Sequence, residues 1–280
     1  YRQAVPALEM LATSITTHRG CGGGCSFCSL ALHQGRRVSS RSEASILGEA
    51  ASLAGLLAKP GSRPRPAALS DVGAATANLW GAKCRRSNEK CGRSSCLWPK
   101  ICPHLTADQK SWVSLLKKIR DLKEVKQVRV ASGVRYDLAL GDEKALAEFL
   151  DNFVGGQLKV APEHLDAEIL RLMRKPGPEV FEKFMEFFFR PSGTGRYVIP
   201  YLISAFPGSD PAKMKALAGW FHRRHWRPRQ VQAFIPTPGT VATAMYYAGV
   251  DEKGRPVAVA RSDRERQAQH SFLAPSSQKR

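Results

Sequence analysis

The segment CGGGCSFC, from Cys21 to Cys28, gathers three of the seven cysteines at the spacing C-x3-C-x2-C. Three thiolates this close can hold three corners of a cubane 4Fe–4S cluster, whose usual ligation is four cysteines. A missing fourth protein ligand leaves one iron open to a small molecule. The intervening Gly22, Gly23 and Gly24 let the backbone wrap closely and take positive φ. Backbone N–H groups freed in such a loop can donate to the sulfurs and tune the centre. The competing reading is zinc with a distant fourth cysteine, although structural zinc more usually takes its ligands as two C-x2-C pairs.

Cys84, Cys91, Cys96 and Cys102 form a second set, spaced x6, x4 and x5, with His104 beyond. Four thiolates would close a site for a second 4Fe–4S cluster or a structural zinc, and buried free thiols are the plainer alternative. The stretch around residues 82–105 is rich in Arg, Lys, Gly and Ser without periodicity. It reads as a Cys-rich insert that a metal would hold in place.

Other side chains could serve the same face. Arg135 and Asp137, in SGVRYD, suit either a substrate carboxylate or phosphate, with arginine as the bidentate partner, or a rim salt bridge. Lys159, in LKVAPEH, is placed to point inward, where a charge is costly unless it serves a ligand. The aromatic stripe in EVFEKFMEFFF reads as core or as a contact with a neighbouring domain.

The elements that must position these residues follow from pattern. The chain has 280 residues and 43% hydrophobic content, enough for one large α/β domain. No apolar run is long enough to cross a membrane. Forty-three Lys and Arg against 24 Asp and Glu give a net charge of +19, which attracts nucleic acid or other anions, or is spread over solvated faces. Seven cysteines without a secretory signal argue against a disulfide framework and for a reducing cytoplasm with metal-bound thiolates. The sequence begins with Tyr1, so a missing upstream domain is expected.

Six β-rich runs alternate with helical patterns: LATSITTHRG, AALSDVG, QVRVASGV, GGQLKVAPEHL, RYVIPYLISAFPG and RQVQAFIP. That alternation predicts a parallel sheet. Six units fall short of a closed eight-unit barrel, so an open or partial (β/α)6 barrel is expected over residues 1–250. Ligands of such folds sit at the C-terminal ends of the strands, where the first cysteine loop lies. From Asp251 the chain turns polar and patternless, and residues 251–280 are expected to form a flexible, disordered tail.

The segment THRGCGGGCSFCSLALHQGRRVSSRS closely resembles the motif of the YgiQ-like radical S-adenosylmethionine proteins. SDVGAATANLWGAKC, CLWPKICPH, ASGVRYDLAL, LKVAPEHL and QVQAFIPTPGTVATAMYYAG resemble later segments of that family in the same order, from Ser14 to Gly249. The resemblance implies a six-unit partial barrel in which Cys21, Cys25 and Cys28 bind a 4Fe–4S cluster and the open iron binds S-adenosylmethionine. Reductive cleavage of that cofactor would yield a 5′-deoxyadenosyl radical that abstracts hydrogen from a substrate. It also implies that Phe27 packs near the adenine and that Asp71, Val72 and Gly73 present backbone to the cofactor's amino group. Ala74 and Ala75 stand where the family has a second glycine and a proline.

LKVAPEHLDAEILRLMRKPG and YLISAFPGSD further resemble methylthiotransferases of the MiaB type, which makes Glu163 and His164 candidates for nucleoside contacts. Their other reading is a helix N-cap region. The implied partners are an electron donor such as flavodoxin or ferredoxin and, from charge and the MiaB-like segments, RNA. The alternative function is a zinc- or cluster-stabilised RNA-binding protein without radical chemistry.

Overall fold

The computed structural model describes residues 8–56, 67–86, 91–190 and 195–274. The chain opens with α1 (Leu8–Leu11), β1 (Ser14–Thr16) and β2 (His18–Arg19), then α2 (Leu30–His33), β3 (Ser39–Ser40) and α3 (Glu43–Leu56). Two halves of one strand run, β4 (Ala67–Leu69) and β5 (Asp71–Gly73), are parted at Ser70 and lead into a 3-10 turn at Ala77–Leu79. β6 (Lys83–Cys84) and β7 (Leu105–Thr106) pair antiparallel and close the base of the Cys-rich insert. After them come α4 (Gln109–Arg120), β8 (Val125–Val128), α5 (Tyr136–Ala139), α6 (Glu143–Phe153) and β9 (Gln157–Glu163). The last part comprises α7 (Ala167–Met173), α8 (Pro178–Phe188), β10 (Tyr197–Ser204), α9 (Pro211–His222), β11 (Gln230–Ala233), α10 (Val241–Ala248) and α11 (Asp263–Ser271).

Helix starts repeat one device. Asp108, Asp142, Asp166 and Asp210 cap α4, α6, α7 and α9, each accepting a backbone N–H of the first turn. Pro178 and Pro211 begin α8 and α9, where a missing N–H leaves nothing unsatisfied. α4 and α6 turn Trp112, Leu115, Leu116 and Ile119, and Leu146, Phe149, Leu150 and Phe153, into one core, with the Trp112 and Phe149 rings 4.7 Å apart.

The six expected strand positions are present and every pairing among them is parallel. β1 pairs with β5, β4 with β8, and β10 lies between β9 and β11. No ladder joins β8 to β9 or β11 to β1 among the described residues. The structure therefore has the parallel strands of the expected fold but does not show a barrel. The ladder also slips past Pro200 and Val160: Leu202 next faces Glu163, so β9 carries one extra residue in its Ala161–Pro162 stretch, where Pro162 has no N–H to give.

The expectation of a disordered tail from Asp251 is corrected for residues 251–274. Asp251 closes a turn by accepting from the Lys253 and Arg255 N–H groups, and α11 follows with a capping box between Ser262 and Glu265. α11 lies on the β10 and β11 ends: Arg266 donates to the Phe234 carbonyl, Gln269 to the Ser209 carbonyl, and His270 Nδ1 is 3.0 Å from Ser204 Oγ. Leu273 is buried with Leu202, Met214, Leu217 and Phe221. Residues 275–280 lie outside the described residues. No helix among the described residues is long and apolar enough to cross a membrane.

Candidate functional site

The first cysteine loop leaves the C-terminal end of β1 and is fastened at both ends. Gly20, at φ +89, passes so close to the 35–37 segment that a Cβ would meet the Arg37 carbonyl at 2.2 Å, and Cys21 N–H donates to the Gly35 carbonyl. Further along, Ser26 N–H donates to the Met173 carbonyl at the end of α7, and Ala242 N–H at the start of α10 donates to the Ser26 carbonyl. Between these anchors the thiols turn to one side. Gly23 N–H lies 3.4 Å from Cys21 Sγ, Leu30 N–H 3.5 Å from Cys28 Sγ, and Thr76 Oγ1 3.5 Å from Cys21 Sγ. Such contacts stabilise thiolates and bound sulfur centres alike.

Gly23 occupies the decisive point. A Cβ there would stand 3.3 Å from Cys21 Sγ, 3.7 Å from Cys25 Sγ and 3.4 Å from Arg135 Nη1. The space between two sulfurs and a guanidinium is kept clear of any side chain. The Cys28 thiol is held above its ordinary value by protein packed about its sulfur, and by Cys25, Cys21 and Glu163, against the Leu30 N–H. Among the described residues no three His, Cys, Asp or Glu side chains stand close enough to share a single ion.

The three cysteines line a cavity of about 200 Å³ together with Phe27, Thr76, Arg135, Tyr136, Glu163 and Lys175. A second cavity, of about 440 Å³, shares Ala75, Gly133 and Ala161 with the first and adds Lys159, Ser132 and Tyr201. The two spaces adjoin at the strand ends. Phe27 stands edge-on to Phe206 with ring centres 6.3 Å apart.

The charged groups of the first cavity are buried and mutually opposed. Arg135 and Asp137 form a bidentate pair, Nε to Oδ1 at 2.8 Å and Nη2 to Oδ2 at 2.5 Å. Burial alone would raise the Asp137 carboxyl, but the Arg135 charge wins and holds it below its usual range. Burial likewise works against the Arg135 cation, and Asp137 overrides it. Burial pushes Glu163 up, opposed by the Lys175 and Arg135 charges. The Tyr136 phenol is raised by burial and by Asp137. Backbone position has its own cause: Asn78 accepts from Arg135 N–H and donates to its carbonyl, fixing the residue from both sides.

Glu163 reaches the cavity because of two local irregularities. The extra residue in β9 and a left-handed φ of +69 at Glu163 turn its side chain inward. The next residue, His164, is fully buried, and its Nδ1 accepts the Asp166 N–H at 2.9 Å. Burial pushes that imidazole down to about 4. His164 is not among the cavity's lining residues. Arg174, left-handed at the end of α7, reverses the chain so that Lys175 enters the cavity.

Asp71, Val72 and Gly73 of β5 are not among the cavity's lining residues. Asp71 accepts from the Ala131 and Ser132 N–H groups and from Ser132 Oγ, so its carboxylate organises the next loop. Val72 is core, and the Gly73 carbonyl accepts the Thr17 N–H. Ala75 and Thr76, just beyond, are the residues that line the cavity. Thr76, Lys175 and Tyr201 were not distinguished by sequence, because each belongs to a loop or strand face set only by packing.

The insert does not stand apart from the first loop. Cys96 N–H donates to the Gly22 carbonyl at 2.8 Å, and Ser95 Oγ donates to the Gly23 carbonyl. A Cβ on Gly24, at φ +59, would meet the Ser94 carbonyl at 2.4 Å. Burial, then Cys102, hold the Cys96 thiol above its ordinary value; Arg36 opposes them, while Cys84 and Cys91 add to them.

Residues 229–276 match the family described as "Domain of unknown function (DUF3362)". Over 97% of its length the chain is 44% identical to a UPF0313 protein of Geobacter sulfurreducens, covering 45% of that protein. It is 40% identical to the UPF0313 protein YgiQ of Salmonella typhimurium over 96% of this chain and 38% of that one. The chain thus spans less than half the length of the curated relatives it matches. Among solved structures, the radical S-adenosylmethionine methyltransferase TsrM of Kitasatospora setae, with cobalamin and a 4Fe–4S cluster bound, superposes with a TM-score of 0.54. That match has 16% identity and covers 92% of this chain and 46% of TsrM. At that identity the likeness is one of fold. By sequence the chain is similar over nearly its whole length to UPF0313 proteins, YgiQ among them, and its mixed α/β fold is similar to that of TsrM.

Proposed function

We propose that the chain is the core of a radical S-adenosylmethionine enzyme, with a 4Fe–4S cluster on Cys21, Cys25 and Cys28. The observation that carries this reading is the cleared point at Gly23 between Cys21 Sγ and Cys25 Sγ, together with a cavity whose described lining includes Cys21, Cys25 and Cys28 and no fourth cysteine. The residues present fit the group: three thiols, N–H donors to sulfur and a fixed guanidinium beside them. A bound cluster would supply the single electron for reductive cleavage of S-adenosylmethionine and so the means of hydrogen-atom abstraction from a substrate.

The chain's own residues bind and orient. Lys175 and Arg135 offer cationic donors for the methionyl carboxylate, and Glu163 offers an acceptor for the amine or a ribose hydroxyl. Phe27 and Ala161 give apolar wall for the nucleoside, and Ala75 and Thr76 supply the backbone past β5. Lys159, Ser132 and Tyr201 line the adjoining space where a substrate would lie. A net charge of +19 favours an anionic substrate such as RNA. A one-electron donor of the flavodoxin or ferredoxin class, in a reducing cytoplasm, completes the reaction.

The test is anaerobic reconstitution followed by iron and sulfide analysis and 5′-deoxyadenosine formation with dithionite and S-adenosylmethionine. Deoxyadenosine formed by the native chain and lost in Cys25→Ala supports the reading. Zinc without sulfide, and no cofactor cleavage, would leave a metal-stabilised binding protein.

A further inference from the structure

The described part of the insert between β6 and β7 is held by turns and side-chain bonds and has no regular element beyond its base. Residues 91–104 contain no helix or strand, and the base is closed by the Lys83–Thr106 and Cys84–Leu105 pairs and by Arg85 N–H donating to the His104 carbonyl. Leu97 is buried, whereas Ile101 is 44% exposed. A stretch this irregular in a compact domain needs a further restraint.

All four cysteines outside the first loop lie here, and backbone pairing links Cys84, Cys96 and Cys102. Cys84 is opposite Leu105, Leu105 N–H donates to the Cys102 carbonyl at 2.9 Å, and Cys102 N–H donates to the Cys96 carbonyl at 2.7 Å. Just after Cys91, the Arg93 guanidinium gathers the carbonyls of Ser95, Trp98 and Lys100 and bends the chain around itself. Four thiolates with a dication, or with a 4Fe–4S cluster of charge 2+, leave a net charge of about −2. Guanidinium groups lie along the insert to offset it: Arg36 donates to the Arg93 carbonyl, and Arg85 donates to the Pro103 carbonyl.

We propose that Cys84, Cys91, Cys96 and Cys102 bind a structural metal centre through four thiolates, and that this centre fastens the insert onto the Cys21–Cys28 loop. The sulfurs are not drawn to single-ion distance, so binding pulls them inward; Cys84 and Cys91 are exposed and have room to turn. A closed four-thiolate set accepts zinc or a 4Fe–4S cluster, and both fulfil the same mechanical role. The fastening acts through Gly22, Gly23 and Gly24, whose carbonyls and bare Cα atoms receive Ser94, Ser95 and Cys96. The centre stands independently of radical chemistry and would exist whether or not the first loop cleaves a cofactor.

The test reads metal directly in protein purified anaerobically with reductant. The triple variant C21A/C25A/C28A, offered zinc or else ferrous iron with sulfide, is expected to keep about one zinc or about four irons with acid-labile sulfide. Adding C84S and C91S, at the two exposed thiols, is expected to abolish that binding. Cobalt(II) should give tetrahedral thiolate bands in the triple variant and none once Cys84 and Cys91 are changed. Should the triple variant not fold, C84S/C91S in the otherwise native chain is expected to lose one centre's complement of metal. It should also release iron from the first loop several-fold faster under a chelator. Equal metal content with and without Cys84 and Cys91, or no metal beyond the first loop in any form, overturns the proposal.

Discussion

Arg135 Nη1 stands 4.0 Å from Cys25 Sγ, while both carboxylate oxygens of Asp137 hold the other edge of the same guanidinium. A cation that cannot swing away is thereby fixed beside one thiol of the candidate cluster site. Arg135→Leu would leave Asp137 buried without its partner. A loss of about 3–5 kcal/mol is expected in denaturant unfolding. Arg135→Lys keeps the charge but not the fork, and should lose less. In reconstituted protein, Arg135→Gln should move the cluster's midpoint potential to more negative values, measured by EPR-monitored titration, because the reduced state is the more negatively charged.

Gly23→Ala should discriminate a cluster site from an ordinary turn. Its backbone is not left-handed, so the new methyl harms chiefly by occupying the space between Cys21 Sγ, Cys25 Sγ and Arg135 Nη1. The melting temperature should move little, while reconstituted iron and sulfide fall to a small fraction of native. Gly24→Ala should do the reverse as well, because its φ of +59 and the Ser94 carbonyl both oppose a Cβ. It is expected to destabilise by about 1–3 kcal/mol.

Glu163 and His164 should separate by role. Glu163→Gln is expected to weaken S-adenosylmethionine binding about tenfold, measured by equilibrium dialysis, with little change in stability. His164→Ala should leave affinity near native and lower stability, since it removes the acceptor of the Asp166 N–H and opens a buried space. Equal effects of the two changes on affinity would contradict the assignment.

Acid should weaken the fold in a defined window. His164 is buried neutral, with its imidazole pushed from 6.5 down to about 4. Between those values the unfolded chain binds the extra proton, so stability falls as the pH drops from about 6.5 towards 4. The contribution is on the order of 3 kcal/mol. Urea midpoints measured across that range should be flatter in His164→Gln. Asp137, held low by Arg135, keeps its stabilisation through this window and loses it only at still lower pH.

Leu273→Ala should lower stability by about 2–4 kcal/mol in thermal or urea unfolding, because Leu273 is 4% exposed in a cluster with Leu202, Met214, Leu217 and Phe221. A change within error would mean that the end of the chain is not docked in solution.

The strand positions were legible because runs such as LKVAPEHL and YVIPYLIS are β-rich and bounded by Gly and Pro, and because the first cysteine loop follows directly on one of them. The inward turn of Glu163 was not, since alternation along a strand fails where the ladder slips and β9 carries an extra residue. Nor was the part played by the Asp71 carboxylate, whose partners, Ala131 and Ser132, are some sixty residues away. The tail was misread because DRERQAQHS has no apolar stripe and docks through Arg266, Gln269 and His270. Its one legible signal, Ser262 three residues before Glu265, is a helix start.

That docking bears on where such a chain can be divided. The stretch matched by its own family, residues 229–276, contains both the last sheet strand β11 and the helix α11 that closes over it. Its Phe234 belongs to a cluster with Ile203 and Phe206 of the preceding unit. A boundary drawn by sequence similarity therefore runs through a shared hydrophobic interior. A deletion made at that boundary would expose the Ile203 and Phe206 side of that interior.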